Sequence, residues 1–224
     1  MKDAYFNTKE GIDAYEASEP VNAQYNLDLL ALGGISLQDV RGVRVLDLGC
    51  GWGLLLKKFH DAGASCFGTD ISALSVSKCR ERFPGISVEQ ADCTKNPFRE
   101  KFSLVMSFGV LGLVTKNRHA LFLQNAAGAL EDGGVLVASA PNAARSGLMD
   151  ALSGRKRSAS YGNARTVAEW KDMLEKAGFA DICVESVLRV PNAEKLLGRN
   201  IFLAAGGSGD PIVIFARRQA LKQS

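Results

Sequence analysis

The chain contains 224 residues, of which 46% are hydrophobic and 23% are charged, and its formal net charge is +3. This length and apolar content suit one domain with a sizeable core, or one domain with a small addition. The charge is small and has no long runs of one sign, which argues against nucleic acid as a partner. No stretch of about eighteen apolar residues occurs, so we predict no membrane span.

The five cysteines and two histidines of the chain do not have the spacing of a metal site. No two cysteines are separated as in a CxxC motif, and the cysteine count is odd. The N-terminus has no apolar signal region. We therefore expect a reduced, cytoplasmic protein with no bound metal.

The N-terminal region, residues 1–42, precedes the first predicted strand and is predicted to be a helical cap or lid. Leucines at helical spacing predict a short helix over residues 26–32, and the pair Gly33-Gly34 ends it. Tyr15 lies in the same region, which holds most of the tyrosines. Two interpretations remain open: a cap packed on the edge of a sheet, or a lid that closes over a ligand.

The remainder, residues 43–224, alternates between strand and helix patterns. Strands are predicted at 43–48, 65–70, 86–90, 102–107, 135–140, 182–190 and 212–217. Helices are predicted at 53–62, 73–83, 118–130 and 167–177. This alternation is typical of a doubly wound α/β domain with a mostly parallel sheet and helices on both faces. No helical pattern clearly separates the last two strands, so we predict a hairpin with an antiparallel strand.

Two irregular segments, 141–165 and 191–210, interrupt this alternation and contain several glycine and polar residues. We predict that they are insertions that line a substrate site, with short helices at 147–152 and 193–197. Plain connections between strands are the alternative.

The most informative stretch is the end of the first strand. Asp47 lies near that end, and Gly49, Gly51 and Gly53 follow at alternate positions before a helix begins. Glycine is required where φ is positive, or where a ligand or another backbone comes too close for a Cβ. Because ligands bind at the carboxyl ends of strands in an open α/β sheet, this turn predicts a ligand site.

Carboxylates also occur at the next two strand ends, Asp70 after the second strand and Asp92 after the third, and Phe108 follows the fourth. Right-handed crossovers bring these ends to one edge of a parallel sheet. A carboxylate in the position of Asp70 can accept both hydroxyls of a ribose. Asp92 can accept an exocyclic amine of a base, and Phe108 can bound the base plane. The set predicts a nucleoside-like ligand.

NAD is not the nucleoside that this pattern favours. The NAD fingerprint GxGxxG has its last glycine one position later and places a diphosphate on the helix N-terminus, usually without an acid at the strand end. Here Asp47 precedes the turn and favours a ligand with a cationic amine.

Residues 45–53, Val-Leu-Asp-Leu-Gly-Cys-Gly-Trp-Gly, resemble motif I of the class I S-adenosylmethionine-dependent methyltransferases. Residues 68–72 resemble the family's second motif, 91–93 its adenine-side motif, 130–134 the entry to strand five, and 170–179 the helix before strand six. The resemblance implies a seven-stranded sheet of order 3-2-1-4-5-7-6 with strand 7 antiparallel. It also implies S-adenosyl-L-methionine as the cofactor and S-adenosyl-L-homocysteine as the product.

The same resemblance implies roles for residues of the first two motifs. Asp47 and the turn at Gly49 and Gly51 would lie along the methionine moiety of the cofactor. Asp70 would bind the ribose hydroxyls, and Ile71 would lie against the adenine.

Further roles follow for residues later in the chain and in the N-terminal region. Asp92 would meet the adenine amine, and Cys93 would supply a neighbouring backbone N–H. Ser107 or Phe108 would contact the cofactor from strand four. Tyr15 lies in a segment that often closes over the cofactor in this family.

The methyl acceptor is predicted to be a small molecule, with oxygen as the methylated atom. No Asn/Asp-Pro-Pro-aromatic motif follows strand four, where 107–110 reads Ser-Phe-Gly-Val, and this argues against methylation of base amines. An RNA or protein methyltransferase that docks through Arg155-Lys156-Arg157 is one alternative. A binding module that holds the cofactor without catalysis is another.

No residue is nominated as a general base, because methyl transfer from a sulfonium requires one only for some acceptors. His60 is predicted to lie on the surface and His119 to be structural. Cys50, between two glycines of the turn, is predicted to be a small residue selected for space, with a reactive thiol as the alternative.

Overall fold

The structure is a computed structural model that describes residues 8–95, 98–144, 161–189, 202–204 and 211–220. Its helices are α1 (Lys9–Leu32), α2 (Leu54–Asp61), α3 (Ala73–Arg82), α4 (His119–Ala129) and α5 (Val167–Lys176). Its strands are β1 (Arg44–Leu48), β2 (Ser65–Asp70), β3 (Ser87–Gln90), β4 (Phe102–Ser107), β5 (Leu130–Ala140), β6 (Phe179–Arg189), β7 (Phe202–Ala204) and β8 (Ile212–Arg218). Short 3-10 turns cover Leu37–Asp39, Lys116–Arg118 and Tyr161–Asn163.

The strands form one mixed sheet of order β3-β2-β1-β4-β5-β8-β6-β7. The pairings among β1 to β5 are parallel, whereas β8 is antiparallel to both of its neighbours. The predicted fold and the order 3-2-1-4-5-7-6 are therefore confirmed, with β8 as the predicted seventh strand. The short strand β7 pairs with β6 and was not predicted, because three residues are too few to show a strand pattern.

Alternation along β1 divides its side chains between two cores, one on each face of the sheet. Leu46 and Leu48 belong to a core with α4 and α5, which includes the fully buried Trp170. Val45 belongs to the core on the opposite face, with α2 and α3 and with Leu30 of α1. Asp47 has the same parity as Val45, so it lies on the face that α1, α2 and α3 cover.

Helix α1 is much longer than the predicted helix at 26–32, which is the largest error of the sequence analysis. Thr8 caps its N-terminus by accepting from the Gly11 amide, and Gly33 follows its last residue as predicted. Pro20 lies inside the helix with an exposed side chain. A proline normally ends a helix pattern, and most of α1 has no regular apolar stripe, so its first half could not be predicted from sequence periodicity.

Several other predictions need qualification. Strand β5 begins at Leu130 and β6 at Phe179, each a few residues before its predicted start, and each has a register irregularity there.

Some predictions lie outside the described residues: the helices at 147–152 and 193–197 and the basic run at 155–157. The division of the chain at residue 43 stays a prediction. None of the helices in the described part of the chain combines the length and hydrophobicity that a membrane crossing requires.

Candidate active site

A cavity of about 900 Å³ lies at the carboxyl ends of β1 to β5, beneath the middle of α1. This volume is in the range of small-molecule and cofactor sites. Nine of the ten residues predicted to bind the cofactor line it: Tyr15, Asp47, Gly49, Gly51, Asp70, Ile71, Asp92, Cys93 and Phe108. The sheet therefore brings together residues that are up to 93 positions apart in the chain, as the strand order requires.

The turn after β1 has the backbone geometry that its glycines suggest. Gly49 has φ of 89° and Gly51 has φ of 56°, both in the left-handed region. A Cβ on Gly49 would collide with the Val110 side chain, and one on Gly51 would collide with the Tyr15 hydroxyl. These two positions therefore require glycine for conformation and for close approach.

Asp70 joins the end of β2 to this turn. One carboxylate oxygen accepts from the Gly51 amide at 3.0 Å, and the other accepts from the Ser72 amide at 2.9 Å. Ser72 in turn caps α3 by accepting from the Ser75 amide. Ile71 lies between them with 63% of its surface exposed, so the cavity rim has an apolar side chain next to the carboxylate.

Asp47 is the most unusual carboxylate of the cavity. It is only 5% exposed, and among the described residues no donor or cation is found bonded to it. Burial, followed by the nearby Asp70 and Cys79, raises the pKa of Asp47 to about 8. The cavity thus contains a buried carboxylate that a ligand cation would stabilise.

Asp92 is held in a different way. One oxygen accepts from the amide and hydroxyl of Thr94 at 2.9 and 2.7 Å, and the other accepts from the Arg118 guanidinium at 3.0 Å. Burial alone would raise the pKa of Asp92, but the Thr94 and Arg118 bonds outweigh it and hold the pKa below its usual value. Beside it, burial raises the pKa of the Cys93 thiol to about 12, and the Cys93 carbonyl accepts from Asn125.

Of the two candidates at the end of β4, Phe108 lines the cavity and Ser107 does not. Ser107 is fully buried, its hydroxyl donates to the Leu48 carbonyl at 2.8 Å, and it is absent from the cavity lining. Its side chain therefore ties β4 to β1. The expectation of a cofactor contact from Ser107 or Phe108 stays a prediction, which the geometry favours for Phe108. The following Gly109 amide donates to the Ser139 hydroxyl at 3.1 Å.

Tyr15 closes the cavity from the side of α1. Its ring packs against Trp52 at a centroid distance of 4.8 Å and a tilt of 46°. Its hydroxyl is hydrogen-bonded to the Trp52 backbone, and burial raises the pKa of the phenol well above its usual value. The helix is thus packed on the glycine turn and lies over the cavity, and the cap and lid interpretations both stay predictions.

Glu19, one helical turn further along α1, was not predicted, and its carboxylate bonds to two other helices. It is 6% exposed. One oxygen accepts from the Leu54 amide at 3.2 Å, and the other accepts from Arg82 at 2.6 Å. Leu54 is the first residue of α2, and the preceding Gly53 has no side chain to cap that helix. Glu19 therefore supplies the missing N-terminal partner from 35 residues away.

Neither histidine reaches the cavity lining. His60 is exposed. His119 is fully buried, with Nε2 at 3.1 and 3.0 Å from the carbonyls of Leu111 and Val114, and its Nδ1 accepts from Arg165 at 2.9 Å. Burial lowers the pKa of His119, which is consistent with a neutral structural residue.

Replacing Glu19 by alanine should lower the free energy of unfolding by about 3 kcal/mol, because it leaves a partly buried guanidinium and a helix amide without their acceptor. Urea denaturation of the cofactor-free protein measures this change. Glu16, exposed on the same helix, is the matched control, and Glu16→Ala should change stability by no more than about 0.5 kcal/mol. Equal stability losses in the two variants would contradict the capping role.

Known methyltransferases resemble this chain in sequence. Residues 45–134 match the family described as a methyltransferase domain. This chain is 33% identical to a ubiquinone biosynthesis O-methyltransferase of Nitrobacter winogradskyi over 111 residues, which are 48% of this chain and 42% of that relative. This chain is also 32% identical to an mRNA cap guanine-N(7) methyltransferase of Caenorhabditis elegans over 126 residues, which are 47% of this chain and 33% of that relative. The chain thus spans less than half the length of these curated relatives.

The fold also resembles that of a solved methyltransferase structure. The crystal structure of magnesium protoporphyrin IX methyltransferase from Synechocystis PCC 6803 with bound S-adenosylhomocysteine matches with a TM-score of 0.67. The match covers 96% of this chain and 97% of that chain at 17% identity. The match of residues 45–134 to a methyltransferase domain and the sheet order confirm the predicted resemblance to the class I S-adenosylmethionine-dependent methyltransferases. The cofactor of this class is S-adenosylmethionine.

Proposed function

We propose that this protein transfers the methyl group of S-adenosylmethionine to a small-molecule acceptor, at an oxygen atom. The observation that carries the proposal is the single cavity that combines the glycine turn, three strand-end carboxylates and a separate neutral end. The partial likeness to ubiquinone biosynthesis O-methyltransferases supports oxygen as the methylated atom.

The residues at the β1–β3 end of the cavity fit the cofactor. In this proposal Asp70 accepts from the ribose hydroxyls, and Asp92 accepts from the adenine amine. The buried Asp47, which has no cationic partner in the described chain, suits the positively charged methionine end. When bound there, the cofactor supplies an electrophilic methyl group on a sulfonium.

The other end of the cavity, which we call the acceptor end, lies toward β5 and β8. Neutral residues from α1 and the sheet line it: Asn22, Tyr25, Asn26, Phe108, Gly109, Ser139 and Pro211. The strand order separates this end from the carboxylates after β2 and β3, with the β1 turn between them. An acceptor there would approach the methionine end of the cofactor from the side opposite to the adenine.

The chemistry needs little from the protein besides placement. Holding a nucleophile and a methyl group in line supplies much of the acceleration of such a displacement. Since neither histidine reaches the described lining, we propose an acceptor that ionises readily by itself, such as a phenol or a carboxylic acid. The role of the cavity is then to orient that oxygen and to exclude water.

A direct assay tests this function. The protein is incubated with S-adenosylmethionine and with separate sets of phenols, carboxylic acids and amines, and S-adenosylhomocysteine and the methylated product are measured by mass spectrometry. We expect turnover with an oxygen acceptor and none in Asp70→Ala. Turnover with amines alone would contradict oxygen as the methylated atom, and no turnover with any of the three sets would favour a non-catalytic module.

Methylation of RNA is the second candidate, because one relative is an mRNA cap methyltransferase. Within the described lining the one basic residue is Arg118, and it is paired with Asp92. That pairing leaves little positive charge for a phosphate backbone, so we favour the small-molecule acceptor. Turnover with capped RNA that falls steeply as salt rises would reverse this preference.

A further inference from the structure

Residues 110–118 lie between β4 and α4 and form one wall of the cavity; we call them the β4–α4 loop. Five of them line the cavity: Val110, Leu113, Val114, Thr115 and Arg118. Near the end of the loop, Arg118 donates to the carboxylate of Asp92 at 3.0 Å. The regular structure of the loop is one short 3-10 turn, Lys116–Arg118, so its position depends on contacts with the rest of the fold.

His119, the first residue of α4, holds the middle of this loop. Nε2 of its buried ring lies 3.1 and 3.0 Å from the carbonyls of Leu111 and Val114. Arg165 donates from Nε to the other ring nitrogen, Nδ1, at 2.9 Å. Because a guanidinium can only donate, Nδ1 is the acceptor, and the hydrogen of the neutral ring is on Nε2, which donates it to the two carbonyls. Arg165 therefore sets the tautomer in which His119 bonds to the loop.

The guanidinium of Arg165 also bonds through its other two nitrogen atoms. Nη2 donates to the Lys116 carbonyl at 2.8 Å, and Nη1 donates to one carboxylate oxygen of Glu169 at 3.1 Å. The other oxygen of Glu169 accepts from the amide and hydroxyl of Thr166, at 2.7 and 3.1 Å, in the capping box of α5. Only 17% of the Arg165 side chain is exposed. One planar group thus ties the loop to the N-terminus of α5, a helix whose apolar face is part of the core.

We propose that Arg165 is a positioning residue for the cofactor, because it holds the β4–α4 loop against the adenine and keeps Arg118 on the carboxylate of Asp92. This role rests on the proposed function, which places the adenine amine at Asp92. Leu113 and Val114 are the apolar side chains that this wall of the cavity offers to the flat face of a base. Arg165 itself is absent from the described lining, so its effect on a ligand passes through the loop.

Hydrogen exchange of the cofactor-free protein tests the hold on the loop. Arg165→Met keeps much of the side-chain volume and removes all three donors. The amides of Leu113 and Arg118 are hydrogen-bonded within the loop, and we expect them to exchange about tenfold faster in this variant. The amides of β1 and β4 should exchange as in the parent. Parent exchange rates throughout the loop of Arg165→Met would overturn the proposal.

Calorimetry with two ligands tests the positioning role. S-adenosylhomocysteine contains the adenine, whereas S-ribosylhomocysteine has a hydroxyl in place of the base. In Arg165→Met we expect the affinity for S-adenosylhomocysteine to fall about tenfold and the affinity for S-ribosylhomocysteine to equal that of the parent. Equal weakening of both ligands would assign a merely structural role to Arg165 and overturn the proposal.

Two further variants make these results specific. Arg165→Lys keeps the charge but cannot bond to the His119 ring and the Lys116 carbonyl at once, so its affinity for S-adenosylhomocysteine should lie between those of Arg165→Met and the parent. Arg217→Met is the matched control, because Arg217 is exposed on β8 and donates to the Gly133 carbonyl, and the variant should bind both ligands as the parent does.

The remaining outcomes also decide the proposal. If Arg165→Met does not fold, the lysine variant replaces it: selective loss of S-adenosylhomocysteine binding would support the positioning role, and parent affinity would overturn it. If the parent binds neither ligand, the proposed cofactor site fails and the positioning role fails with it. Faster exchange in Arg165→Met would then still show that Arg165 holds the loop.

Discussion

Replacing Asp70 by alanine should weaken the binding of S-adenosylhomocysteine about 100-fold or more. Hydrogen bonds to a charged group contribute about 1.5–3 kcal/mol each, and a carboxylate that accepts two ribose hydroxyls would lose both. The same change removes the acceptor of the Gly51 and Ser72 amides, so the turn itself loses its anchor to β2. Isothermal titration calorimetry measures the affinity.

Two variants make this result specific. Asp70→Asn keeps the shape and one acceptor oxygen but loses the charge, and it should bind more tightly than Asp70→Ala and less tightly than the parent. Asp172→Ala removes an exposed carboxylate that pairs with Lys176 far along α5, and its affinity should equal that of the parent. Binding by a folded Asp70→Ala protein at the parent affinity would contradict both the ribose role and the cofactor site.

Binding of S-adenosylmethionine should strengthen as pH rises toward 8, with release of up to one proton. Burial and Asp70 raise the pKa of Asp47 to about 8, so much of the carboxyl group is protonated at neutral pH in the free protein. A cation placed beside it favours the ionised form and lowers that pKa. The affinity should therefore rise by at most about tenfold per pH unit below pH 8 and level off above it.

The stability of the cofactor-free protein should change in the opposite direction. The raised pKa means that the folded state holds a proton that the unfolded state has lost between about pH 4 and 8. The stabilisation that this proton contributes is complete below the pKa of Asp47 in the unfolded chain. It is lost as the pH rises through the pKa of Asp47 in the folded protein. Thermal unfolding across this range measures it. In Asp47→Asn the contribution of Asp47 should vanish from the pH dependence of ligand affinity and from the pH dependence of stability. If either quantity changed with pH as steeply as in the parent, the proton would belong to another group.

Much of the fold was accessible from the sequence because its signals are local. Apolar runs of strand length, glycines after a strand and a cap such as Ser72 specify elements without knowledge of their neighbours. The two strand-end carboxylates Asp70 and Asp92 needed only the rule that parallel strands end at one edge. The first half of α1 gave no such signal, because its stability comes from contacts with the turn and with Arg82 rather than from its own pattern.

The sequence by itself determined the strands and the carboxylates at their ends, since strand periodicity and chain direction fix which ends meet, and the resemblance to a known family supplied the order of the sheet. Only the tertiary structure decided how those groups are satisfied. It paired Asp92 with Arg118, left Asp47 buried without a cation in the described chain, and turned the Ser107 hydroxyl away from the cavity. It also placed Glu19 on the N-terminus of α2, because a contact between residues 35 positions apart depends on packing and leaves no local pattern in the chain.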